Sequence, residues 1–295
     1  MRAVIGAACA AAAFATLAHA DGMDEMAAPP APVETSSGWE YQFTPYGWLP
    51  WLSGNATIRG RHFKVASNPV QILEHLDFAW MSYMQAKKGP VTVFADVIYG
   101  DVSNSRSLVA SDRVSADVSG TIGAALSADY QFWTIEAGGM YEILKWRSRA
   151  SADPDTVLEM LAGGRYWHQQ LRVKVALAGT TNIDGLIVSG SDAIADSGGV
   201  DWIDPFIGAR LRYKPATGEE MILRGDVGGF GAGSQFTWQV KATYNWYLGT
   251  YRDIIFDGYL GYRALSVDYE SGSGNRRYVY DVLEQGPVVG FTGKF

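Results

Sequence analysis

The sequence is short of the residues and segments on which several classes of protein depend. Its one cysteine, Cys9, lies in an N-terminal segment that we expect to be removed, so the remaining chain has no disulfide, thiol catalyst or cysteine metal site. A net charge of −7 argues against nucleic acid as a partner, because that binding needs a basic face. After Ala20 no run of about 18 apolar residues occurs, which predicts that no helix spans a membrane. Any membrane role must then rest on a closed β-barrel, since only helices and edge-free barrels satisfy the backbone in lipid.

Histidine is scarce as well. Of four histidines, only His62, His75 and His168 follow the expected cleavage site. Barrel phospholipases, lipid A deacylases and omptin proteases each need a histidine beside a serine or an acidic pair. His168 alone lies in a predicted strand, and no Ser or Asp stands within two residues of it. We therefore predict a protein that is not an enzyme, with no catalytic residue, cofactor or metal site, and keep a barrel hydrolase as an alternative.

The first 38 residues have the composition of a targeting segment followed by a leader. Arg2 precedes an alanine-rich apolar stretch that ends in Ala18-His-Ala20, an A-x-A cleavage motif of secretory signals. We expect a signal peptide over residues 1–20, cleaved after Ala20, and a disordered periplasmic leader over 21–38, where no periodicity occurs. Residues 39–295 are predicted to form one β-barrel domain.

The clearest periodicity lies in residues 236–248. Apolar and polar side chains alternate there without a break, and a period of two is typical of a strand whose faces meet different surroundings. Aromatic residues stand near both ends of the apolar face, as in lipid-facing strands with interfacial girdles. A strand of a soluble β-sandwich could alternate in the same way.

Similar segments throughout residues 39–295 predict an all-β fold, an antiparallel transmembrane β-barrel with an even number of strands, ten or alternatively twelve. The count depends on Trp133, where the apolar positions change from even to odd numbers. This change indicates either a β-bulge in one very long strand or a tight turn between two. A turn there and the segment 56–65 would supply the two further strands. The polar segments 103–113 and 178–200 are predicted to be loops.

A small insert is predicted after the first strand. Residues 55–65 have the pattern of a hairpin turning at Arg59-Gly60, and residues 70–76 that of a short helix. Asn68 can cap this helix, and Pro69 suits its first position. Hairpin and helix together are too short to form a domain, so we expect them either outside the barrel or folded into its lumen.

The polar faces of the predicted strands would point into the barrel. Ten charged side chains lie on those faces: Glu159, Arg165, Arg210, Arg212, Arg224, Asp226, Lys241, Asp257, Arg263 and Glu284. Charges of both signs in a narrow barrel have two interpretations. Salt bridges fill the interior and make the barrel rigid, or the charges line a narrow aqueous pore with a weak preference for anions.

Several short motifs carry a resemblance to a known family. They occupy residues 39–54, 72–78, 94–96, 161–167, 201–206, 223–231 and 261–263, and Arg224-Gly-Asp-Val-Gly-Gly is the most specific of them. Together they resemble a family of proteobacterial outer-membrane β-barrel proteins, similar to the opacity and OmpA-type surface barrels. The resemblance implies the fold and a location in the bacterial outer membrane. It implies no established substrate, activity or catalytic residue.

Residues and resemblance together predict a narrow passive channel or an envelope-stabilising surface protein. The alternative from another class is a surface adhesin or antigen that acts through its loops. The expected partners are outer-membrane lipid and lipopolysaccharide, whose phosphates the basic run at residues 59–64 could contact. A third expected partner is the barrel-assembly machinery, which would bind the final strand ending in the aromatic residue Phe295.

Overall fold

The computed structural model describes residues 38–58, 61–115, 118–147, 155–183, 186–215 and 218–295. Within them, residues Trp39–Phe295 form one compact unit. The predicted signal peptide and all but the last residue of the predicted leader lie outside the described residues, so both stay predictions.

The described residues form twelve β-strands, one short α-helix and one turn of 3-10 helix. In chain order these are β1 Glu40–Trp48, β2 Trp51–Ile58, β3 Arg61–Ser67, α1 Pro69–Glu74, β4 Leu76–Lys88, β5 Val91–Ser115, β6 Val118–Trp146, β7 Thr156–Ile183, β8 Leu186–Tyr213, β9 Glu219–Gly228, β10 Phe236–Tyr251, β11 Ile254–Ser271, the 3-10 turn Gly274–Arg276, and β12 Tyr278–Lys294.

Ten of the strands close into a barrel. β4 to β12 each pair antiparallel with the next, β1 pairs with β4, and β1 also pairs with β12. At the closing seam the backbone N–H of Phe295 donates to the carbonyl of Tyr41 at 2.9 Å, and the N–H of Tyr41 donates back at 3.3 Å. The predicted all-β antiparallel barrel is confirmed, with ten strands in the wall. We call the end of the barrel that carries this seam the terminal end, and the other the far end.

The remaining strands, β2 and β3, belong to the predicted insert. β2 continues along β12 beyond β1, from which Leu49 and Pro50 separate it, and β3 pairs with β2 as a hairpin. Its turn at residues 59 and 60 lies outside the described residues. The twelve strands thus arise from this hairpin, not from a turn at Trp133.

The predicted helix is present as α1 and is capped as the sequence indicates. Gln71 N–H donates to the side-chain oxygen of Asn68 at 2.9 Å, and Asn68 N–H donates to the side-chain oxygen of Gln71 at 3.1 Å, a reciprocal capping box. Pro69 occupies the first turn. The helix ends at Glu74, two residues earlier than predicted, because β4 begins at Leu76. Among the described residues no helix is long and apolar enough to cross a membrane.

Trp133 marks neither a bulge nor a turn, so both interpretations of its position are wrong. β6 runs through it with unbroken pairing to β5 and β7, and the single-strand count is right. Trp133 points outward at 37% exposure, while Thr134 points inward at 5%. On the far side Phe132 packs against the interior apolar cluster. The alternation continues through this position; among the described residues, Trp133 begins the apolar outward side of β6, whereas Phe132 just before it is an apolar residue on the inward side.

The predicted loops at 103–113 and 178–200 are also wrong. The first lies in β5, and the second, apart from residues 184 and 185, lies in β7 and β8. β7 and β8 each have 28 residues and pair from Thr156↔Tyr213 to Ile183↔Leu186. A barrel strand needs about 9–11 residues to cross a membrane. Glycine and serine obscured the period-two pattern in strands that extend far beyond that length.

A band of exposed apolar side chains surrounds the wall of the barrel. Its members include Tyr41, Trp80, Met84, Val91, Val93, Trp133, Tyr141, Met160, Ile203, Ile207, Tyr213, Met221, Val227, Phe236, Leu248, Ile255, Leu260, Tyr262, Val289 and Phe291. They come from every strand of the wall. The barrel is therefore apolar on its outer surface, and its polar side chains are inside.

Substitutions at the adjacent residues Gly163 and Gly164 of β7 test how closely β6, β7 and β8 pack. A Cβ atom on Gly163 would lie 2.2 Å from the carbonyl oxygen of Ala137 and 2.8 Å from the ring of Phe206, whereas a Cβ atom on Gly164 would lie 3.8 Å from its nearest neighbour. We predict that Gly163→Ala lowers the free energy of unfolding by about 1–3 kcal/mol through overpacking. Urea unfolding of the protein refolded in lipid vesicles measures it. Gly164→Ala is the matched control, and equal midpoints for the two variants would contradict this packing.

Candidate functional site: the ionic network of the lumen

Strand β10 shows how the sequence places polar side chains inside. Thr237, Gln239 and Asn245 are buried, whereas Phe236 and Leu248 at the ends of the opposite face are exposed. The alternation predicted for 236–248 is present as far as Trp246, with its apolar face outward; Tyr247, predicted to face inward, is 52% exposed beside a register shift between Tyr247 and Gly249. Every wall strand that follows this rule adds polar groups to a narrow interior, where each must find a partner.

The centre of the interior is the carboxylate of Glu136 on β6. One of its oxygens, Oε1, accepts hydrogen bonds from Arg165 Nε and Arg263 Nη2, both at 2.9 Å. The other, Oε2, accepts from Arg224 Nη2 at 2.8 Å. All four side chains are at least 95% buried. Three guanidinium groups from β7, β9 and β11 therefore meet on one buried carboxylate.

Asp226 on β9 is the second acceptor of the same arginines. Its Oδ1 accepts from Arg165 Nη2 at 2.8 Å, and its Oδ2 accepts from Arg224 Nε at 3.1 Å and from Gln239 Nε2 at 3.0 Å. Arg165 thus spans the two carboxylates of Glu136 and Asp226. This arrangement fixes the position of its planar guanidinium, which presents its donors in a rigid fork.

Asp96 on β5 completes the central cluster. It accepts a hydrogen bond from the Tyr46 hydroxyl at 2.6 Å and from Arg263 Nη1 at 3.3 Å, and Lys241 Nζ lies 3.7 Å away. The cluster then holds three carboxylates (Glu136, Asp226 and Asp96) and four cations (the three arginines and Lys241). Its formal charge is +1, so the interior is close to neutral.

A second cluster lies toward the terminal end. Glu159 accepts from Arg210 Nη2 at 2.9 Å and from Arg212 Nε at 3.2 Å. Arg212 also reaches Glu142 at 3.0 Å, and Lys87 forms an ion pair with the same carboxylate at 2.8 Å. This cluster is partly exposed, since 13% of the Arg212 side chain and 20% of that of Lys87 are accessible.

An aromatic layer lies on the far side of the central cluster. Trp167, Trp202 and Tyr269 are stacked, with ring centroids 5.5 Å and 4.0 Å apart. Both indole N–H groups donate to Asp204 Oδ2, at 3.0 and 3.2 Å, and the same oxygen accepts from Ser234 Oγ at 2.8 Å. The layer satisfies its own polar atoms and packs large rings across the interior.

The central cluster separates two cavities. One, of about 330 Å³, lies at the terminal end and is lined by basic residues that include Arg210, Arg212 and Lys241. The other, of about 370 Å³, is lined mostly by apolar residues. No described residue lines both, and Glu136 lines neither. Among the described residues, the central cluster thus lies between the two cavities.

The ten residues expected to line the lumen fall into four places. Arg165, Arg224, Asp226, Lys241 and Arg263 are in the central cluster, and Glu159, Arg210 and Arg212 are in the terminal one. Asp257 pairs with Lys294 at 2.5 Å. Glu284 accepts from the Tyr280 hydroxyl at 2.8 Å and lies apart from both clusters, beside the far cavity.

Sequence reasoning missed the acidic centre of the network. Glu136, Asp96, Glu142 and Asp204 are all buried and all accept from basic or indole donors. The inward position of Glu136 could have been predicted, because it lies between the outward-facing residues Ile135 and Ala137 of β6. The same period-two rule that found the arginines would have found it.

His168 has an acidic partner that its local sequence does not show. Its Nδ1 lies 2.6 Å from Asp201 Oδ1 on the neighbouring strand β8, and the Tyr166 hydroxyl donates to the same oxygen at 2.6 Å. These side chains lie on the outer surface. In the described part of the chain no hydrogen bond links His168 to a serine or threonine hydroxyl, and no group of three or more potential metal ligands occurs.

Comparisons with known proteins add little. No family model matches the sequence, and no curated protein matches it. Among solved structures, the chain is similar to Neisserial surface protein A (10% identity, 88% of this chain and 98% of that chain covered, TM-score 0.28). It is also similar to Ail, the attachment invasion locus protein of Yersinia pestis (9%, 88% and 100%, 0.29). A third is the outer membrane protein opdK from Pseudomonas aeruginosa (8%, 88% and 100%, 0.23). Identities and TM-scores this low support no conclusion about function.

Because three arginines share the carboxylate of Glu136, we predict that removing its charge lowers the stability of the protein strongly. Glu136→Gln leaves three buried guanidinium groups with too little negative charge, so the free energy of unfolding should fall by about 3–5 kcal/mol. Urea unfolding in lipid vesicles measures this. The control is Glu270→Gln, which breaks an exposed ion pair with Arg277 and should change stability by less than about 1 kcal/mol. Equal effects of the two substitutions would show that Glu136 has no special role.

Proposed function

We propose that this protein is an outer-membrane barrel with a closed lumen, which acts as a rigid, envelope-stabilising surface protein and not as a passive channel. The observation that carries the proposal is the meeting of three buried arginines on Glu136 between two separate cavities. The expected recognition of Phe295 by the assembly machinery and the contact with lipopolysaccharide stay predictions.

The outer surface of the wall supports a membrane location. Its exposed side chains are apolar, with tryptophan and tyrosine among them, while charged residues fill the interior. A soluble β-barrel would show the reverse, because water would favour polar groups outside. An outward apolar band with aromatic residues and a polar interior is the pattern of barrels that span a bilayer.

The chemistry of the interior supports closure. A conducting pore needs water and mobile ions next to its charged groups, with binding weak enough for ions to leave. Here the guanidinium groups of Arg165 and Arg263 are fully buried and bound to protein carboxylates. The rings of Phe94 and Phe206 lie 5.0 and 5.5 Å from the guanidinium of Arg224. The arginines and carboxylates of this layer are thus bound to one another, and Lys241 is the cation of the cluster held most loosely, 3.7 Å from Asp96.

Current recordings in planar bilayers test the proposal. The wild-type residues 21–295, refolded and inserted, should give no discrete current steps. The double variant Glu136→Ala, Arg263→Ala removes two interlocked side chains from the centre and should give steps, because it joins the two cavities.

The matched control removes an ion pair from the surface. Glu270→Ala, Arg277→Ala should be as silent as the wild type, because this pair lies outside the interior and is 41–46% exposed. Discrete steps from the wild-type protein would overturn the closed-lumen proposal and favour the passive channel.

A surface adhesin or antigen is the second candidate, and the length of β5 to β8 favours it. These strands have 25, 29, 28 and 28 residues, against about 10 that a membrane crossing requires. At roughly 3.3 Å per residue, the surplus forms a four-stranded sheet that continues tens of ångströms past the apolar band. Such a sheet would present a large surface outside the cell.

Labelling of intact cells tests this display. A bulky, membrane-impermeant amine reagent should modify Lys64, which is exposed in β3 of the hairpin at the far end, the end to which the long strands extend. It should leave Lys87 and Lys88 unmodified, because they lie at the terminal end, where β4 turns into β5. The reverse pattern, read by mass spectrometry, would place the long strands in the periplasm and remove this candidate.

A further inference from the structure

The barrel wall is interrupted between β1 and β4. Their pairing runs from Glu40↔Lys87 to Pro45↔Ser82, and beyond Ser82 no ladder among the described strands joins β4 to β1, β2 or β3. At the break the backbone N–H of Trp48 donates to the sulfur of Met81 at 3.2 Å, in place of a strand carbonyl. Leu49 and Pro50 follow, and proline has no N–H to give to a ladder.

Helix α1 lies at this break and covers it loosely. It has no buried residue, and its apolar side chains Val70 and Leu73 are 63% and 51% exposed. Ile72 and Leu73 line the far cavity. Beyond the helix, the carbonyl of His75 accepts from the N–H of Ser103 at 2.9 Å. The insert therefore covers the break without closing it by a β-ladder.

The far cavity leads from the break into the barrel. Its lining includes Pro50 and Ala79 on the two sides of the break, and Phe132 and Trp167, which lie deeper in the barrel on β6 and β7. At about 370 Å³ it falls within the size range of ligand pockets, about 300–1,000 Å³. A dry apolar cavity of about 150 Å³ can already hold a benzene molecule, so this one has room for a longer apolar group.

Several polar groups around this cavity are already engaged by the protein, whereas the indole Nε1 of Trp48, also in the lining, has no hydrogen-bond partner among the described residues. Gln169 accepts a short hydrogen bond from the Tyr278 hydroxyl, Glu284 accepts from Tyr280 at 2.8 Å, and His75 Nδ1 bonds the carbonyl of Gln71 at 2.8 Å. What remains for a ligand is mainly apolar surface. The described lining contains no arginine or lysine and so offers no charge partner to an anionic head group, which makes an uncharged hydrocarbon the fitting ligand.

We propose that the far cavity binds one unbranched, uncharged hydrocarbon chain that enters through the break between β1 and β4. The chain belongs either to a membrane lipid or to a free neutral molecule such as a long-chain alcohol. The lipid source rests on the proposed membrane location, because the break must then face the bilayer; binding of a free chain does not.

Photo-crosslinking in lipid vesicles tests the inference and separates the two sources. One arm uses a phospholipid with a diazirine on its acyl chain, and the other uses decanol with the same group. Peptide mapping should find adducts on cavity residues such as Ile72, Met81 and Phe132 in at least one arm. Adducts in the phospholipid arm identify a lipid chain, and adducts in the decanol arm alone identify a free molecule.

Two filling variants and one control make the result specific. Thr134→Phe and Ala79→Phe add bulk at two different places in the cavity lining, and each should lower cavity adducts by about ten-fold, the loss that about 1.4 kcal/mol produces. Ala137→Phe adds the same ring to the outer face of β6, where Ala137 is exposed, and should change nothing in the cavity. Folding of each variant is checked by its heat-modifiable migration in gels.

Labelling of the outer band separates this inference from the proposed function. Adducts on Val93 and Ile207, which are exposed in that band, report contact with the bilayer. If these residues are labelled and the cavity is not in either arm, the cavity inference is wrong and the membrane location stands. If the decanol arm labels the cavity while neither arm labels the band, the membrane location fails and the cavity inference stands. Cavity adducts that persist unchanged in both filling variants would also overturn it.

Discussion

The interior of this barrel depends on one carboxylate, that of Glu136. Three guanidinium groups converge on it, and all of them are buried. Burying a cation without a partner lowers the stability of a protein by several kcal/mol, so the arginines can fill the lumen only while a carboxylate accepts their hydrogen bonds. Glu136 lies on β6, whereas Arg224 and Arg263 lie on β9 and β11, which do not neighbour β6 in the sheet. The carboxylate therefore links non-adjacent parts of the wall across the lumen.

The same cluster divides the interior into two unlike halves. The terminal half is basic and the far half is mainly apolar. In β6 the change occurs at Trp133: Phe132, just before it in the chain, packs against the interior apolar cluster, whereas Trp133 is exposed on the outer surface. A wall that meets lipid outside must keep polar groups inside, and a wall that meets water outside can do the reverse. β6 makes this change without a bulge at Trp133; its register shift against β7 lies elsewhere, between Glu142 and Leu144.

Much of this fold could be predicted from the period-two pattern. The pattern in residues 236–248 gives both faces of β10, and Asn68 and Pro69 give the start of α1. The far extensions of β5, β7 and β8 were read as loops, because small and polar residues dominate strands that no lipid requires to be apolar. The partners of the arginines needed the cross-barrel geometry. Neither the bond from Arg263 to Glu136, 127 residues apart, nor the pairing of His168 with Asp201 is visible in local sequence.

A double-mutant cycle between Glu136 and Arg263 tests the central claim most directly. Glu136→Gln, Arg263→Met and the combined variant are unfolded with urea in lipid vesicles, next to the wild type. If the carboxylate holds the arginines in place, the double variant should be more stable than the sum of the single losses predicts, by at least about 1.5 kcal/mol, within the range measured for groups in one network. Additive losses, agreeing within about 0.5 kcal/mol as for independent sites, would contradict it.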